Sequence, residues 1–179
     1  MTIELTVLED IGARLDAAGI PYMLTGSMAL AYYATPRMTR DIDIVVALAP
    51  DDVNRLRRVL GEDYYLDADT ALEAVRTGRL FNLMHMTSAI KIDMIVRKAS
   101  AYRQAEFERR LRVRYGTIET WVVTREDLIL SKLEWSRESG SEMQRRDVRQ
   151  LLAGPLDWAY LDRWAKALGV ESALSALRP

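Results

Sequence analysis

Three aspartates on two strand-like segments have the clearest potential for chemistry. Residues 41–46 alternate in polarity, so Asp41 and Asp43 share one face of the predicted strand while apolar side chains fill the other. A later segment places Asp93 on one strand face in the same way. If the two strands are neighbours, three carboxylates converge, and a cation relieves their repulsion. Oxygen ligands favour Mg²⁺ or Mn²⁺, and two such ions can assist in-line displacement at phosphorus.

The dipeptide Gly26-Ser27 stands where a short apolar strand, residues 22–25, turns into a predicted helix. A glycine lets backbone amides approach a ligand, and the N-terminus of a helix offers unpaired N–H groups to an anion. The Ser27 hydroxyl adds a donor. This turn is a candidate phosphate-binding site, and 13 residues separate it from Asp41.

Each of these features also has a purely structural interpretation. The aspartates could lie on the solvated face of an antiparallel sheet, and Gly26-Ser27 could be an ordinary turn. Lys91 lies two residues from Asp93 on the same strand face and could pair with it in place of a metal. His85 could assist proton transfer, but a single strand histidine is more often a packed or rim residue, so we leave it outside the catalytic set.

The elements that would position these residues follow from periodicity and turn residues. The pattern predicts helices near 3–18, 28–33, 51–60, 69–77 and 101–109, and strands at 22–25, 41–46, 81–86, 90–96, 111–115 and 118–123. After residue 123 only helices are predicted, and capping pairs start two of them, at Thr124 with Asp127 and at Ser141 with Gln144. We therefore divide the chain into residues 1–123, an α/β part, and residues 124–179, a helical part.

Composition excludes several classes of protein. The 179 residues carry a formal net charge of −1, one His and no Cys. A chain without Cys forms no disulfide, iron–sulfur cluster or thiol nucleophile, so any metal is held by oxygen ligands. No apolar run approaches the roughly 20 residues of a membrane span, which predicts no membrane association and a cytoplasmic location. Arginines gather at 109, 110, 112 and 114, where they could meet phosphate or form a solvated face.

Gly26-Ser27, Asp41-Ile42-Asp43 and the later Asp93 together resemble the motif of the DNA polymerase β-like nucleotidyltransferase superfamily. The chain is most similar to the abortive-infection (AbiEii-like) nucleotidyltransferase toxins and their uncharacterised relatives, on three stretches: Thr39 to Asp43, Glu126 to Leu133 and Arg145 to Arg149. The resemblance implies an α+β fold, in which a nucleotidyltransferase-like mixed β-sheet with flanking helices is followed by a small helical region.

The resemblance also implies roles for the aspartates and the turn. Asp41 and Asp43 would bind the metals that bridge the triphosphate of an NTP. Asp93 would complete the metal site and deprotonate or orient the acceptor hydroxyl that attacks the α-phosphorus. Gly26 and Ser27 would hold the β- and γ-phosphates.

Three further residues are assigned to nucleotide binding. The resemblance implies that Lys132 neutralises the triphosphate from the helical side; alternatively its stem covers apolar surface while the ammonium reaches water. Asp147 either orients Lys132 or Arg146 or forms a surface ion pair. Arg40 either pairs with nucleotide phosphates or compensates the acidic cluster.

The leading interpretation is a nucleotidyltransferase, dependent on Mg²⁺ or Mn²⁺, that moves NMP from an NTP to an acceptor hydroxyl. The acceptor is RNA such as tRNA, and the protein is the toxin of a toxin–antitoxin pair with a cognate antitoxin as its partner. One alternative is transfer to a small molecule of the aminoglycoside type. Another is a non-catalytic nucleotide-binding module of the same fold.

Overall fold

The structure is a computed structural model that describes residues 2–35 and 41–178, apart from the side chain of Glu138. Within these residues, nine helices flank a sheet of seven strands. The strands are β1 Tyr22–Thr25, β2 Ile42–Val46, β3 Tyr64–Leu66, β4 Leu80–His85, β5 Ile90–Val96, β6 Leu111–Tyr115 and β7 Ile118–Val122. The helices are α1 Ile3–Ala17, α2 Gly26–Tyr33, α3 Asp52–Leu60, α4 Ala68–Thr77, α5 Ala101–Glu108, α6 Arg125–Ser139, α7 Glu142–Leu151, α8 Trp158–Leu168 and α9 Glu171–Leu177.

The sheet is mixed, with the strand order β3-β4-β5-β2-β1-β7-β6. β2 runs parallel to β5, and β1 runs parallel to β7, whereas the other neighbours pair antiparallel. The predicted α+β architecture, a mixed sheet with flanking helices and a helical region after it, is confirmed. The three-residue β3 was not predicted.

Alternation along the central strands gives the sheet one apolar face and one face with polar side chains. Ile42 and Ile44 of β2 and Ile92 of β5 are fully buried. Residues between them, such as Asp43 and Asp93, are only partly buried and belong to the opposite face. Asp43 and Asp93, which the sequence predicts on polar strand faces, therefore lie on the same side of the central strands.

The helical part begins where the sequence predicts it. Thr124 is the N-cap of α6, and its hydroxyl accepts a hydrogen bond from the backbone N–H of Asp127. The Asp127 carboxylate is fully buried, and it also accepts hydrogen bonds from Tyr160 of α8 at 2.7 Å and from Arg109 at 3.2 Å. This carboxylate therefore links α6, α8 and the chain after α5.

The elements change from mixed to purely helical between Val122 and Arg125, close to the predicted boundary. One hydrophobic core contains residues from both sides of this point, including Leu24, Leu128 and Leu161. The division into two domains stays a prediction. Among residues 2–35 and 41–178, no helix is both long and apolar enough to cross a membrane.

Candidate active site

Strand pairing brings two of the predicted aspartates side by side. Asp43 of β2 is the register partner of Asp93 in the parallel strand β5, and on its other side it is the partner of Thr25 in β1. Register partners project from the same face of a sheet, about 5 Å apart. Thr25, Asp43 and Asp93 therefore form a row across three strands, which begins beside the turn at Gly26.

Gly26 holds the Asp43 carboxylate close to the start of α2. Its backbone φ of +65° lies in the left-handed region, and an added Cβ would overlap Asp43, with Cγ at 2.6 Å and Cβ at 2.8 Å. The backbone N–H of Ser27 donates a hydrogen bond to the Asp43 side chain. Only a glycine leaves room for this approach, because it carries no Cβ. The predicted phosphate-binding turn and the predicted metal ligand thus form a single unit.

The site carries concentrated negative charge. Burial raises the pKa of Asp43 above its ordinary value, and the charges of Asp93 and Asp41 raise it further. The Oδ1 atom of Asp93 is buried and has no hydrogen-bond partner among the described residues. Both observations fit a site that is completed by a cation, since a cation stabilises neighbouring ionised carboxylates.

Lys91 supplies a positive charge at this point. Its Nζ lies 3.1 Å from Oδ2 of Asp93 and 3.8 Å from Oδ2 of Asp41, and the hydrogen bond to Asp93 raises the pKa of Lys91. Asp41 is exposed, unlike Asp43 and Asp93. Across residues 2–35 and 41–178, no three acidic or histidine side chains are arranged to hold a metal ion. The pairing of Lys91 with Asp93 that the sequence left open is present.

Lys132 reaches the site from the helical part. Its side chain is 6% exposed, and Nζ lies 2.8 Å from Oδ2 of the buried Asp147 and 3.1 Å from Oε1 of Gln144. The charge of Lys132 lowers the pKa of Asp43, so the ammonium acts on the same site. A solvated ammonium and a surface ion pair, the structural alternatives for Lys132 and Asp147, are therefore wrong. Asp147 of α7 holds Lys132 of α6 in place.

A cleft of about 520 Å³ lies between the sheet and α6, and its lining includes Gly26, Ser27, Asp41, Asp43, Asp93 and Lys132. The α6 face that lines it carries Leu128, Ser131, Lys132 and Trp135 at helical spacing. Trp135 is 57% exposed at the cleft and Met143 of α7 is 52% exposed. Trp135 was not among the site residues predicted from the sequence, although its spacing one turn after Lys132 is a signal for its place in the cleft.

A partly buried ion-pair cluster forms another part of the cleft wall. Arg103 of α5 donates to both carboxylate oxygens of Glu106, at 2.8 and 2.9 Å, and also pairs with Glu134 of α6. Ser131 donates to Glu106 at 2.7 Å. Burial raises the pKa of Glu106, although its bonds to Arg103 oppose that shift. These contacts fix α5 against α6.

Several residues considered from the sequence lie elsewhere. His85 packs against Tyr64 and contacts Ser88, away from the cleft lining. Arg109 pairs with Asp127, and Arg112 pairs with Asp16, so both serve ion pairs within the chain. The predicted nucleotide-binding residue Arg40 lies outside the described residues.

Residues 4–173 match the profile of a family described as nucleotidyltransferase of unknown function (DUF6036). No curated protein matches the chain.

Solved nucleotidyltransferases share the fold. ANT(2'')-Ia, in complex with adenylyl-2''-tobramycin, is 13% identical, with a TM-score of 0.60 over 96% of this chain and 99% of that one. A putative nucleotidyltransferase of Thermotoga maritima is 17% identical, with a TM-score of 0.54 over 79% and 90% of the two chains. The lincosamide antibiotic adenylyltransferase LnuA, bound to lincomycin, is 16% identical, with a TM-score of 0.52 over 86% and 97%.

Proposed function

Because the chain belongs to this DUF6036 family of nucleotidyltransferases, we propose that it transfers a nucleoside monophosphate from an NTP to an acceptor hydroxyl in the cleft under α6. The family establishes the enzyme class. The predicted likeness to AbiEii-like toxins in particular stays a prediction, because the matches support the nucleotidyltransferase superfamily as a whole.

The contact between Gly26 and Asp43 carries the proposal. A backbone turn with donor N–H groups touches the carboxylate that lies beside Asp93. A solvated sheet face needs neither a glycine of positive φ at this point nor a partly buried carboxylate in contact with it. A nucleoside triphosphate needs both the turn and the carboxylate. Its phosphates accept hydrogen bonds from backbone N–H groups, and its metal ions bind the carboxylates.

On the donor side, Gly26 and Ser27 hold the β- and γ-phosphates, and Lys132 neutralises their charge from the opposite wall. Asp147 and Gln144 keep the Lys132 ammonium at the cleft, because both accept hydrogen bonds from Nζ. The exposed ring of Trp135 offers a surface for the base. Arg40 is proposed to pair with the phosphates.

Asp41, Asp43 and Asp93 would hold Mg²⁺ or Mn²⁺, which when bound neutralises the charge that develops on the phosphates during in-line displacement. Lys91 must then release Asp93 and Asp41. Asp93 orients the acceptor hydroxyl and accepts its proton. The acceptor oxygen forms a bond to the α-phosphorus, the bond from that phosphorus to the β-phosphate oxygen breaks, and pyrophosphate leaves.

The acceptor candidates are RNA such as tRNA and a small molecule. Two of the solved neighbours, ANT(2'')-Ia and LnuA, are bound to antibiotic molecules. Leu80, Asn82 and Met84, on the strand next to Asp93, are exposed and uncharged, which favours a small molecule over RNA. The toxin role and an antitoxin partner stay predictions from the sequence.

Thermal unfolding with Mg²⁺ and each NTP tests the donor site. A ligand at about 100 times its Kd stabilises the folded state by about 2.7 kcal/mol. In a chain of this size that stabilisation raises Tm by roughly 5–10 °C. We expect wild type to show this shift with one or more NTPs, and Asp43→Asn to lose it. A labelled-NTP assay against RNA, protein and small-molecule acceptors then measures transfer.

Two further variants complete the design. Asp93→Asn should keep most of the NTP binding but lose transfer, because its carboxylate is assigned to the acceptor. Asp51→Asn changes an exposed aspartate outside the cleft lining and should match wild type in both assays. If wild type shows no Tm shift with any NTP at millimolar Mg²⁺, the proposed metal–nucleotide site is wrong.

A further inference from the structure

The row of side chains through the site continues one strand beyond Asp93. Asn82 of β4 is the register partner of Asp93 in the antiparallel pair of β4 and β5. The row therefore reads Thr25, Asp43, Asp93 and Asn82 across four strands, and it starts beside the phosphate-binding turn. If the triphosphate lies over β1 and β2, the next strand beyond Asp93 is where an attacking hydroxyl approaches.

The face of the sheet around Asn82 is open and mostly apolar. Leu80 and Met84 flank Asn82 at alternate positions of β4, and Tyr65 of β3 is the register partner of Met84. Tyr65 is 60% exposed, Leu80 50% and Met84 36%. The alternating residues Phe81 and Leu83 are buried on the other face. We call the surface formed by Tyr65, Leu80, Asn82 and Met84 the β4 platform.

We propose that the β4 platform binds the acceptor, and that the acceptor is a small, ring-bearing molecule with several hydroxyl groups, such as a glycoside. This inference rests on the proposed nucleotidyl transfer. The platform supplies apolar contacts for ring faces around one polar group, the Asn82 amide, which both donates and accepts hydrogen bonds. It adjoins Asp93, so a bound ring can present a hydroxyl to the carboxylate that accepts its proton.

The dimensions of the platform agree with such a ligand. Leu80 and Met84 are four residues apart on one strand, a separation of about 13 Å. Tyr65 widens the surface by one strand spacing, about 5 Å. An area of this size accommodates two or three linked rings.

The charges argue against nucleic acid as the occupant. Phosphate backbones are bound mainly by Lys and Arg side chains, and the β4 platform carries no charged residue. Lys91, the register partner of Met84, is engaged by Asp93 and Asp41. Arg110 stacks over Phe107 and Trp121 near β6, at the opposite edge of the sheet from β3.

Backbone NMR of the full chain tests the inference. The probes are lincomycin, tobramycin and a short single-stranded RNA, each added after a non-hydrolysable ATP analogue with Mg²⁺. We expect the analogue to perturb the amides of Gly26, Ser27 and Lys132. At least one small-molecule probe should then perturb the amides of residues 64–66 and 80–85.

Each outcome separates the acceptor inference from the proposed function. If the analogue perturbs its residues but neither small molecule perturbs the β4 platform, the acceptor inference is wrong and the donor site stands. If the RNA perturbs the β4 platform and neither small molecule does, the occupant is nucleic acid and the inference is also overturned. If the analogue perturbs nothing, the proposed function fails together with the inference.

Point variants identify the contacts. Tyr65→Ala should weaken binding of the small-molecule probe about tenfold, the factor that corresponds to 1.4 kcal/mol. Leu80→Ala should also weaken it, whereas Leu111→Ala is the matched control, since Leu111 is a strand leucine with a similar exposure of 48% on β6. All three variants should bind the ATP analogue as wild type does. Equal effects of Leu80→Ala and Leu111→Ala on probe binding would overturn the assignment.

Discussion

Replacing Gly26 by alanine tests the contact on which the donor site depends. The backbone there has a φ of +65°, and in this region a side chain costs about 1–2 kcal/mol. The new Cβ would also meet the Asp43 side chain, with Cγ at 2.6 Å. Displacing that carboxylate breaks its hydrogen bond with the Ser27 N–H, which is worth about 1.5–3 kcal/mol because one partner is charged. The expected loss of unfolding free energy is roughly 2.5–5 kcal/mol.

Gly19 provides a matched control for Gly26. Its φ is +63°, but an added Cβ there would meet no atom within 4 Å. Gly19→Ala should therefore cost only the conformational part, about 1–2 kcal/mol, and should bind NTP as wild type does. Urea denaturation gives the free energies of unfolding, and calorimetry with Mg²⁺ and NTP gives the affinities.

A double-mutant cycle with Asp43→Ala isolates the steric part of the Gly26→Ala effect. Removing the carboxylate relieves its overlap with the new Cβ, although the Cβ of residue 43 would still lie 2.8 Å away. The cost of Gly26→Ala should therefore fall by about 1 kcal/mol or more in the Asp43→Ala background. If Gly26→Ala costs no more than Gly19→Ala and keeps NTP binding, the close contact does not shape the site.

Three further predictions concern charge and anchoring. Because burial raises the pKa of Asp43, the folded protein keeps this carboxyl protonated to a higher pH than the unfolded chain does. The protonated group therefore stabilises the fold fully below the ordinary pKa of 3.8, and this contribution is lost as pH rises through the raised pKa. Metal-free Asp43→Asn should therefore be more stable than wild type at pH 7 but not near pH 3.5 in urea denaturation, and an equal gain at both values would contradict this cause. Lys132→Met should lose about 3–5 kcal/mol, since it leaves Asp147 charged and buried, and Lys132→Met with Asp147→Leu should recover most of that stability. Calorimetry should show that both variants lose affinity for NTP more than for NMP, and an unchanged ratio would remove Lys132 from the triphosphate site. Tyr160→Phe should cost about 1–3 kcal/mol because it removes a donor from the buried Asp127 carboxylate, and a loss below about 0.5 kcal/mol would show that this bond does not anchor α8.

Local patterns predicted most of the elements. Alternation identified β2 and the β4–β5 hairpin, and the capping residues Thr124 and Ser141 gave the starts of α6 and α7. The three-residue β3 was missed because so short a segment shows no period, and its place is set by pairing with β4.

Contacts distant in sequence could be predicted only in part. Alternation gave the faces of Asp43 and Asp93, but their register depends on the parallel pairing of β2 with β5. The burial of Lys132 depends on how α6 packs against α7, which carries Gln144 and Asp147, so the sequence left its alternative open. Nothing in the sequence singles out Asn82, because its proposed role follows only from its position opposite Asp93 in the sheet.

The parallel pairing of β2 and β5 also affects how the protein folds. β1 and β2 pair antiparallel and are near in sequence, so the part of the site around Gly26 and Asp43 can form early. Asp93 is separated from Asp43 by a crossover that contains α3, β3, α4 and β4, and Lys132 lies still later in the chain. The complete site exists only in chains in which every one of these long-range contacts has formed. Nucleotide binding during refolding should therefore report the completed set of long-range contacts, and not only the presence of helices and strands.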